Sequence, residues 1–356
     1  MQDLKHLIKK KRRFFFPLRS KKRAAQNSFH ALKESGSRKA RLRILLPVIA
    51  AVIALYPVAA LVKVAIPKLF QLQKHLRLKA ATNGHDYDNY GSFRLAAAHL
   101  SGSRQSGNRL AASSAEGISL YFTIDPNLQG NVFNYMTQMQ VPYGAFVAIE
   151  PKTGRILALT GYSSMDPAWD GMSCFRLYPM ASLFKIITAS AALEQKQVEP
   201  DTLFAFRGYS YSENPRAWDT KPGQRGQQMP LDQAMGKSIN PVFGRLASDV
   251  VGRDNIMTYA QRFGFNQTLF PGTPIQPSRA TTPQDDLELK LMGAGLGREV
   301  KISPLHAALM MAALANQGTM MAPILAQEIR DRENNLLFAE KPASIRRLVT
   351  QETAAQ

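Results

Sequence analysis

Ser182 and Lys185 are the residues whose types and spacing could do nucleophilic chemistry. Three positions apart on a helix, their side chains would lie on one face, one turn apart. Lys185 is flanked by apolar Phe184 and Ile186, and burial among such residues lowers a lysine pKa towards a neutral amine that can accept a serine proton. A helix that starts at Ser182 would also bring its positive dipole end to a developing oxyanion. A capping serine followed by a snorkelling lysine would give the same short pattern.

Other kinds of active site find little support in the sequence. Of the six histidines, only His306 falls in the C-terminal body, and its Ala/Leu/Met-rich helix indicates a packed side chain. No Cys/His cluster has zinc spacing, and no Gly-rich phosphate loop is present. We therefore expect neither a metal nor a cofactor, and a Lys base for any activated serine. The single cysteine, Cys174, excludes an internal disulfide and is expected to be a small buried apolar residue.

The elements that must position these residues follow from local patterns. A strand over 120–124 ends at Asp125-Pro126, and two apolar runs, 144–150 and 155–160, flank a turn and predict a β-hairpin. The remaining segments predict helices: 181–193, 231–250 with a break at Asn240-Pro241, and one capped by Ser303 that ends before Gly318. Strands followed by helices predict an α/β body with a largely antiparallel sheet flanked by helices.

The basic charge of the chain is concentrated at its N-terminus. Residues 1–43 hold fifteen Lys/Arg against Asp3 and Glu34, a net of +13 out of +19. The run 44–62 has no charge and 19 residues, about enough to cross a bilayer core. We predict a basic cytoplasmic tail over 1–43, a single transmembrane helix over 44–66 and an extracytoplasmic body, because positive flanks stay inside. Membrane insertion explains the charge more simply than nucleic acid, which we do not expect as a partner.

The rest of the chain divides into a connector and a body. Residues 67–117 are predicted to be an extracytoplasmic linker, since the Ser/Gly-rich stretch 101–108 is typical of flexible segments. Residues 118–356 are predicted to form the functional domain. The predicted location is the plasma (inner) membrane, single-pass, with the body in the periplasm or its equivalent.

Five segments around Ser182 resemble the penicillin-binding proteins, and specifically the class B, monofunctional D,D-transpeptidases. They occur in the family's order over roughly residues 118–350. In chain order the segments are Phe122-Thr-Ile-Asp-Pro-Asn-Leu-Gln129, Gly144 to Ala158, Tyr178-Pro-Met-Ala-Ser-Leu-Phe-Lys185, Leu231 to Phe243 with Ser238-Ile-Asn240, and Gly293-Ala-Gly-Leu-Gly297 with Ile302 to Ala308.

The resemblance implies a β-lactamase/transpeptidase-like fold and a role for each matched residue. Ser182 would attack the penultimate D-alanine carbonyl of a peptidoglycan stem peptide, and Lys185 would take the serine proton. Ser238 would relay a proton to the leaving amine, and Asn240 would hold the substrate amide while hydrogen-bonding Lys185. Implied partners are D-Ala-D-Ala stem peptides, β-lactams, the membrane and other cell-wall synthesis proteins. Taken alone, Ser238 and Asn240 are also typical of a turn before Pro241.

The sequence departs from this family at its third motif, Lys-Ser/Thr-Gly. The only such triplet, 152–154, precedes Ser182 and falls in the predicted hairpin turn, and none follows Asn240. Thr350 is typical of the N-cap of a helix that in relatives leads to the missing strand. We therefore expect the domain to be incomplete. A truncated or split gene product, a fragment and a degenerate pseudoenzyme are the three explanations, and the retained motif residues favour recent truncation over a long-standing loss of function.

Two alternative functions remain open on the sequence. One is a membrane-anchored β-lactam sensor with the same Ser182/Lys185 pair and slow turnover. The other is a non-catalytic envelope scaffold, in which Ser182 would be dispensable.

Overall fold

A computed structural model describes residues 87–220 and 226–356, together with Lys68. The features below lie in Leu72–Gln356, the second of the two units into which the chain divides. Among the residues described, none of the helices has the length and apolar character needed to cross a membrane. The predicted tail, transmembrane helix and first part of the linker lie outside the described residues and stay predictions.

The described part of the chain alternates short strands and helices. Its α-helices are α1 (Asn89–His99), α2 (Pro126–Gln138), α3 (Phe184–Glu194), α4 (Leu231–Gly236), α5 (Asn240–Arg245), α6 (Arg253–Arg262), α7 (Asp286–Gly293), α8 (Pro304–Ala315) and α9 (Gln351–Ala355). Its strands are β1 (Arg104–Ser106), β2 (Arg109–Ser113), β3 (Ser119–Phe122), β4 (Gly144–Ile149), β5 (Ile156–Tyr162), β6 (Tyr178–Pro179), β7 (Leu203–Phe206), β8 (Gln227–Pro230), β9 (Lys301–Ile302), β10 (Thr319–Met321), β11 (Ala326–Arg330), β12 (Leu336–Ala339) and β13 (Ser344–Arg347). Short 3-10 turns lie at Gly171–Phe175, Ala181–Leu183 and Pro215–Ala217, and a π-helical stretch at Leu246–Val251.

The largest sheet joins two distant parts of the chain. Its order is β1-β2-β3-β11-β12, with antiparallel neighbours throughout. One face is buried against α1, where Phe93 contacts Phe175 edge to face. The alternation along β3, with Leu120 and Phe122 both 2% exposed, is what a half-buried strand requires.

The Ser/Gly-rich segment interpreted as a flexible linker is ordered instead. Residues 104–113 form the hairpin β1–β2, and α1 precedes it with Asp88 as its N-cap. The sequence prediction was wrong here because the turn residues of a hairpin have the same composition as a linker, whereas the placement of Leu110, 8% exposed, depends on the pairing of β2 with β3.

The predicted hairpin and helices are confirmed. Strands β4 and β5 pair antiparallel around the turn 151–154, and the hairpin packs against α2 and α8. Ser303 caps α8 by accepting from His306 N, and Thr350 caps α9 by accepting from Thr353 N. Helix α3 is largely buried and contacts α6, α7 and the π-helical stretch. The fold is therefore α/β with antiparallel pairing, although β4–β5 and β3 belong to different sheets.

His306 packs inside this helical layer and is almost fully shielded from solvent. Its Nε2 lies 2.9 Å from the Phe263 carbonyl oxygen and its Nδ1 lies 2.6 Å from Ser278 Oγ. Because a carbonyl can only accept, Nε2 carries the proton and Nδ1 accepts from the serine hydroxyl. Burial lowers the pKa of His306 from 6.5 to about 4. The imidazole is therefore a neutral packing residue, as the sequence indicated.

The lowered pKa predicts a loss of stability in mild acid. In the unfolded chain His306 is protonated at its ordinary pKa of 6.5. Neutral His306 therefore contributes its full stabilisation of the fold above pH 6.5, and this contribution is lost as the pH falls through the folded pKa of about 4. From pH 7 to pH 5 the free energy of unfolding should drop by about 2 kcal/mol from this residue. Urea unfolding of wild type and His306→Gln at both pH values checks this. His306→Gln should have a lower free energy of unfolding than wild type at pH 7, but this free energy should fall less between pH 7 and pH 5. Equal falls in the two proteins would contradict the lowered pKa of His306.

Candidate active site

The nucleophile candidate lies in a sharp turn that starts α3. Ser182 is the second residue of the 3-10 turn Ala181–Leu183, which runs directly into α3. Ala181 has a φ of 53°, a left-handed value that is unusual for a residue with a Cβ. Ser182 is exposed to solvent, whereas Lys185 one turn later is 1% exposed. Backbone N–H groups at this end of a helix have no partner within the helix, which suits them to an oxyanion.

The four predicted site residues meet at one atom, the Lys185 Nζ. This nitrogen lies 3.0 Å from Ser182 Oγ, 3.0 Å from Ser238 Oγ, 3.3 Å from the Ser238 carbonyl oxygen and 2.7 Å from Asn240 Oδ1. It also lies 5.9 Å from the centroid of the Phe243 ring. The lysine therefore joins a helix that carries Ser182 to the loop and helix start that carry Ser238 and Asn240.

These contacts orient the amine as a base. Burial lowers the pKa of Lys185 from 10.5 to about 8, so that about one molecule in ten is neutral at pH 7. A neutral amine has two N–H bonds and one lone pair. The two carbonyl oxygens, Asn240 Oδ1 and Ser238 O, can only accept, so they take both N–H bonds. The lone pair is left for a hydroxyl, and Ser182 Oγ is within reach to give its proton.

Asn240 is itself held by backbone carbonyls. Its backbone N–H donates to the Ser210 carbonyl oxygen at 2.8 Å, and its Nδ2 donates to the Ser212 carbonyl oxygen at 3.3 Å. Since Nδ2 faces a carbonyl, Oδ1 must face Lys185, and the amide has one orientation. Sequence reasoning missed Ser210 and Ser212 because a backbone carbonyl leaves no mark in residue type.

A second support lies under the nucleophile turn. Gly295, with φ +78°, packs so closely that a Cβ there would lie 2.4 Å from the Ala181 carbonyl oxygen and 2.8 Å from Ser182 Cα. Thr188 Oγ1 on α3 donates to the Gly293 carbonyl oxygen at 3.0 Å. The glycine-rich segment 293–297 was noted in the sequence as family-like, but nothing there indicated that its backbone touches the nucleophile turn.

The remaining candidates lie away from this cluster. Lys152, Thr153 and Gly154 form the turn between β4 and β5, where Gly154 N donates to the Glu150 carbonyl oxygen at 2.9 Å. Cys174 is buried, and burial raises its pKa to about 12, which leaves it a thiol. Across residues 87–220 and 226–356 no group of His, Cys, Asp and Glu side chains is arranged to hold a metal ion.

Comparison with known proteins identifies the family. The family model of the penicillin binding protein transpeptidase domain matches residues 144–356. The peptidoglycan D,D-transpeptidase PbpA of Mycolicibacterium smegmatis is 29% identical over 76% of this chain and 62% of its own length. Penicillin-binding protein 3 of Bacillus subtilis is 26% identical over 63% of this chain and 37% of its own length. This chain thus spans less than two thirds of either relative.

Solved structures share the fold. Penicillin-binding protein A of Mycobacterium tuberculosis, as its imipenem acyl-enzyme complex, superposes with a TM-score of 0.57 at 23% identity, covering 78% of this chain and 68% of that chain. The D,D-transpeptidase domain of a peptidoglycan glycosyltransferase from Eggerthella lenta gives a TM-score of 0.54 at 24% identity, covering 66% and 63%.

These matches define the class to which the fold belongs, that of serine-type transpeptidases. The chain belongs to the penicillin-binding protein transpeptidase domain family, and its relatives place it with the class B proteins. The resemblance stated from the sequence is thereby confirmed.

Proposed function

We propose that the chain carries the acylating site of a peptidoglycan D,D-transpeptidase, with Ser182 as nucleophile. The observation that carries the proposal is the Lys185 amine, which lies 3.0 Å from Ser182 Oγ with both its N–H bonds directed to carbonyl oxygens. Support comes from relatives whose names include peptidoglycan D,D-transpeptidase.

In the proposed reaction, Ser182 Oγ attacks the carbonyl carbon of the penultimate D-alanine as its proton passes to Lys185 Nζ. The tetrahedral oxyanion is stabilised at the start of α3. When the peptide bond breaks, the terminal D-alanine leaves as an amine, and it receives the proton from Lys185 through Ser238 Oγ, 3.0 Å from Nζ. An acceptor amine from a second stem peptide then attacks the ester, and Ser182 regains its proton.

Asn240 is proposed to bind the substrate amide. Its Nδ2 uses one N–H for the Ser212 carbonyl oxygen, which leaves the second N–H for a carbonyl of the donor stem peptide. A β-lactam would acylate Ser182 in the same geometry, because its strained amide replaces the peptide bond under attack.

The proposed place of this reaction is the outer face of the plasma membrane. It depends on the predicted transmembrane helix over 44–66 and the basic tail over 1–43, through which the chain could meet other cell-wall synthesis proteins. Fusion of a reporter active only in the cytoplasm after residue 356 and, separately, before residue 1 tests this topology. Activity from the C-terminal fusion would contradict it.

Mass spectrometry of the intact chain after treatment with penicillin G tests the acylating function directly. We expect a stoichiometric adduct that peptide mapping places on Ser182 and that Ser182→Ala abolishes. Ser106→Ala, at an exposed serine of β1, is the control and should be labelled like wild type. Absence of an adduct on the folded chain would overturn the acylating function and favour the alternative of a non-catalytic envelope scaffold. A long-lived adduct without transfer to a stem-peptide mimic would favour the slow-turnover sensor.

A further inference from the structure

The segment 207–220, which follows β7, is held against the helix that begins at Asn240. Trp218, 0% exposed, lies against α5 at Gly244, where a Cβ would come within 2.3 Å of the indole Cζ3. The neighbouring Asp219 carboxylate binds Lys290 Nζ on α7 at 2.9 and 3.0 Å. Two consecutive residues thus fix this segment to α5 and α7. The buried indole has little freedom to move, because it packs directly against the α5 backbone at Gly244, where no flexible side chain can shift to make room.

Trp218 is one hydrogen bond from the residue whose carbonyl orients Asn240. Its Nε1 donates to Ser212 Oγ at 3.1 Å, while the Ser212 backbone N–H donates to the Tyr209 carbonyl oxygen at 2.9 Å. The Ser212 carbonyl oxygen in turn accepts from Asn240 Nδ2. The turn 209–212 is therefore held by the indole from one side and holds Asn240 on the other.

We propose that Trp218 is a positioning residue of the active site, which acts through Ser212 to keep Asn240 Oδ1 directed at Lys185. The catalytic consequence rests on the proposed function, whereas the effect on the state of Lys185 does not. The buried indole of Trp218 then has a role beyond packing, because the shortest contact of the Lys185 amine depends on it.

Loss of the hydrogen bond between Trp218 and Ser212 should lower the pKa of Lys185. If the Ser212 carbonyl moves, the Asn240 amide can rotate and present Nδ2 to Lys185 Nζ, so that donor faces donor. Protonated Lys185 then loses its 2.7 Å acceptor, which destabilises the charged form and lowers the pKa further below its wild-type value of about 8. The neutral amine loses one of the two acceptors that aim its lone pair, so proton transfer from Ser182 slows.

Trp218→Phe tests the proposal because it keeps a large ring and removes only the indole N–H and part of the ring volume. Ser212→Ala removes the acceptor and leaves the indole in place. Trp169→Phe is the control, since Trp169 Nε1 also donates one hydrogen bond, in its case to the Gly144 carbonyl oxygen at 2.8 Å. Two properties are measured for each variant: the rate constant for acylation by penicillin G against pH, and the pKa of Lys185 by NMR of its ¹³C-labelled ε-methylene.

We expect Trp218→Phe and Ser212→Ala each to slow acylation by about five- to tenfold and to lower the Lys185 pKa, while Trp169→Phe changes neither. The double variant should be no slower than either single one, because both remove the same hydrogen bond. Wild-type values in Trp218→Phe, additive losses, or a uniform loss at every pH without a pKa shift would overturn the proposal. If wild type itself is not acylated, the proposed acylating function is contradicted. The NMR comparison then still decides whether Trp218 influences the pKa of Lys185. If Trp218→Phe does not fold, Ser212→Ala decides alone.

Discussion

Replacement of Lys185 by methionine should reduce the rate constant for acylation of Ser182 by about 10²–10⁴-fold, the usual contribution of a positioned general base. Methionine fills similar space in the buried site but cannot accept a proton. In wild type the rate should rise with pH to a plateau with a midpoint of about 8, the lowered pKa of Lys185. Stopped-flow acylation by a chromogenic β-lactam between pH 6 and pH 10 measures both. The residual rate of the variant should lack this midpoint.

The same substitution should stabilise the fold. Burial lowers the folded pKa of Lys185, so at neutral pH folding must desolvate a charge that the methionine variant does not have. The lysine disfavours folding fully below pH 8 and progressively less as pH rises from 8 to 10.5, because the folded amine is then already neutral. We expect Lys185→Met to melt at a higher temperature at pH 7, with a smaller advantage at pH 10. Lower stability together with lost acylation would indicate a structural role instead.

Gly295→Ala should disable the nucleophile turn while leaving every chemical group of the site in place. A Cβ at this position would lie 2.4 Å from the Ala181 carbonyl oxygen and 2.8 Å from Ser182 Cα. Backbone atoms cannot rotate away as a flexible side chain can, so the turn must shift. A displacement of about 1 Å can cost roughly 10²-fold in rate, and we expect a loss of that order in acylation.

Gly107→Ala is a control for this prediction. Gly107 lies in the turn between β1 and β2 with φ +60°, and a Cβ added there would meet no heavy atom within 4 Å. Both variants carry the strain of a Cβ at positive φ, about 1–2 kcal/mol, which thermal unfolding measures, and only Gly295→Ala should lose acylation. Comparable acylation in the two variants would show that the close approach to Ala181 is not needed for catalysis.

The proposed site residues could be predicted from the sequence because serine, lysine and asparagine side chains in this spacing are of types suited to nucleophilic chemistry. Ser182 and Lys185 lie one turn apart on a continuous helical segment, so their contact is local and follows from helix geometry. Ser238 and Asn240 depend on tertiary folding to reach Lys185, and only family resemblance connected them to it. The Ser212 carbonyl and the Gly295 backbone approach have no signature in residue type, and no local rule could place them.

The fold was predicted where periodicity is strong and missed where pairing is distant. The β4–β5 hairpin and the caps of α8 and α9 are local features, and the structure confirms them. The hairpin β1–β2 was predicted as linker because its strands are short and because β2 is placed by its pairing with β3, which no local pattern indicates. The assignment of strands to separate sheets was likewise not predicted, because it depends on the pairing of β11 with β3, two strands that are far apart in the sequence.

The pairing of β3 with β11 also constrains how the protein can fold as it is made. Thr123 Oγ1 donates to the carbonyl oxygen of Ile324 at 2.9 Å across 201 positions of sequence, and β11 lies between β3 and β12 in the sheet. Until β11 and β12 have left the ribosome, one edge of β3 in the nascent chain is unpaired. The sheet then consists of β1, β2 and β3 only, and its apolar face is incomplete. Such non-local closure makes folding slow and leaves an aggregation-prone edge in the meantime. Folding of this sheet is therefore expected to be completed only after β12 has left the ribosome, so that the Ser182 turn is assembled on a scaffold whose sheet forms late.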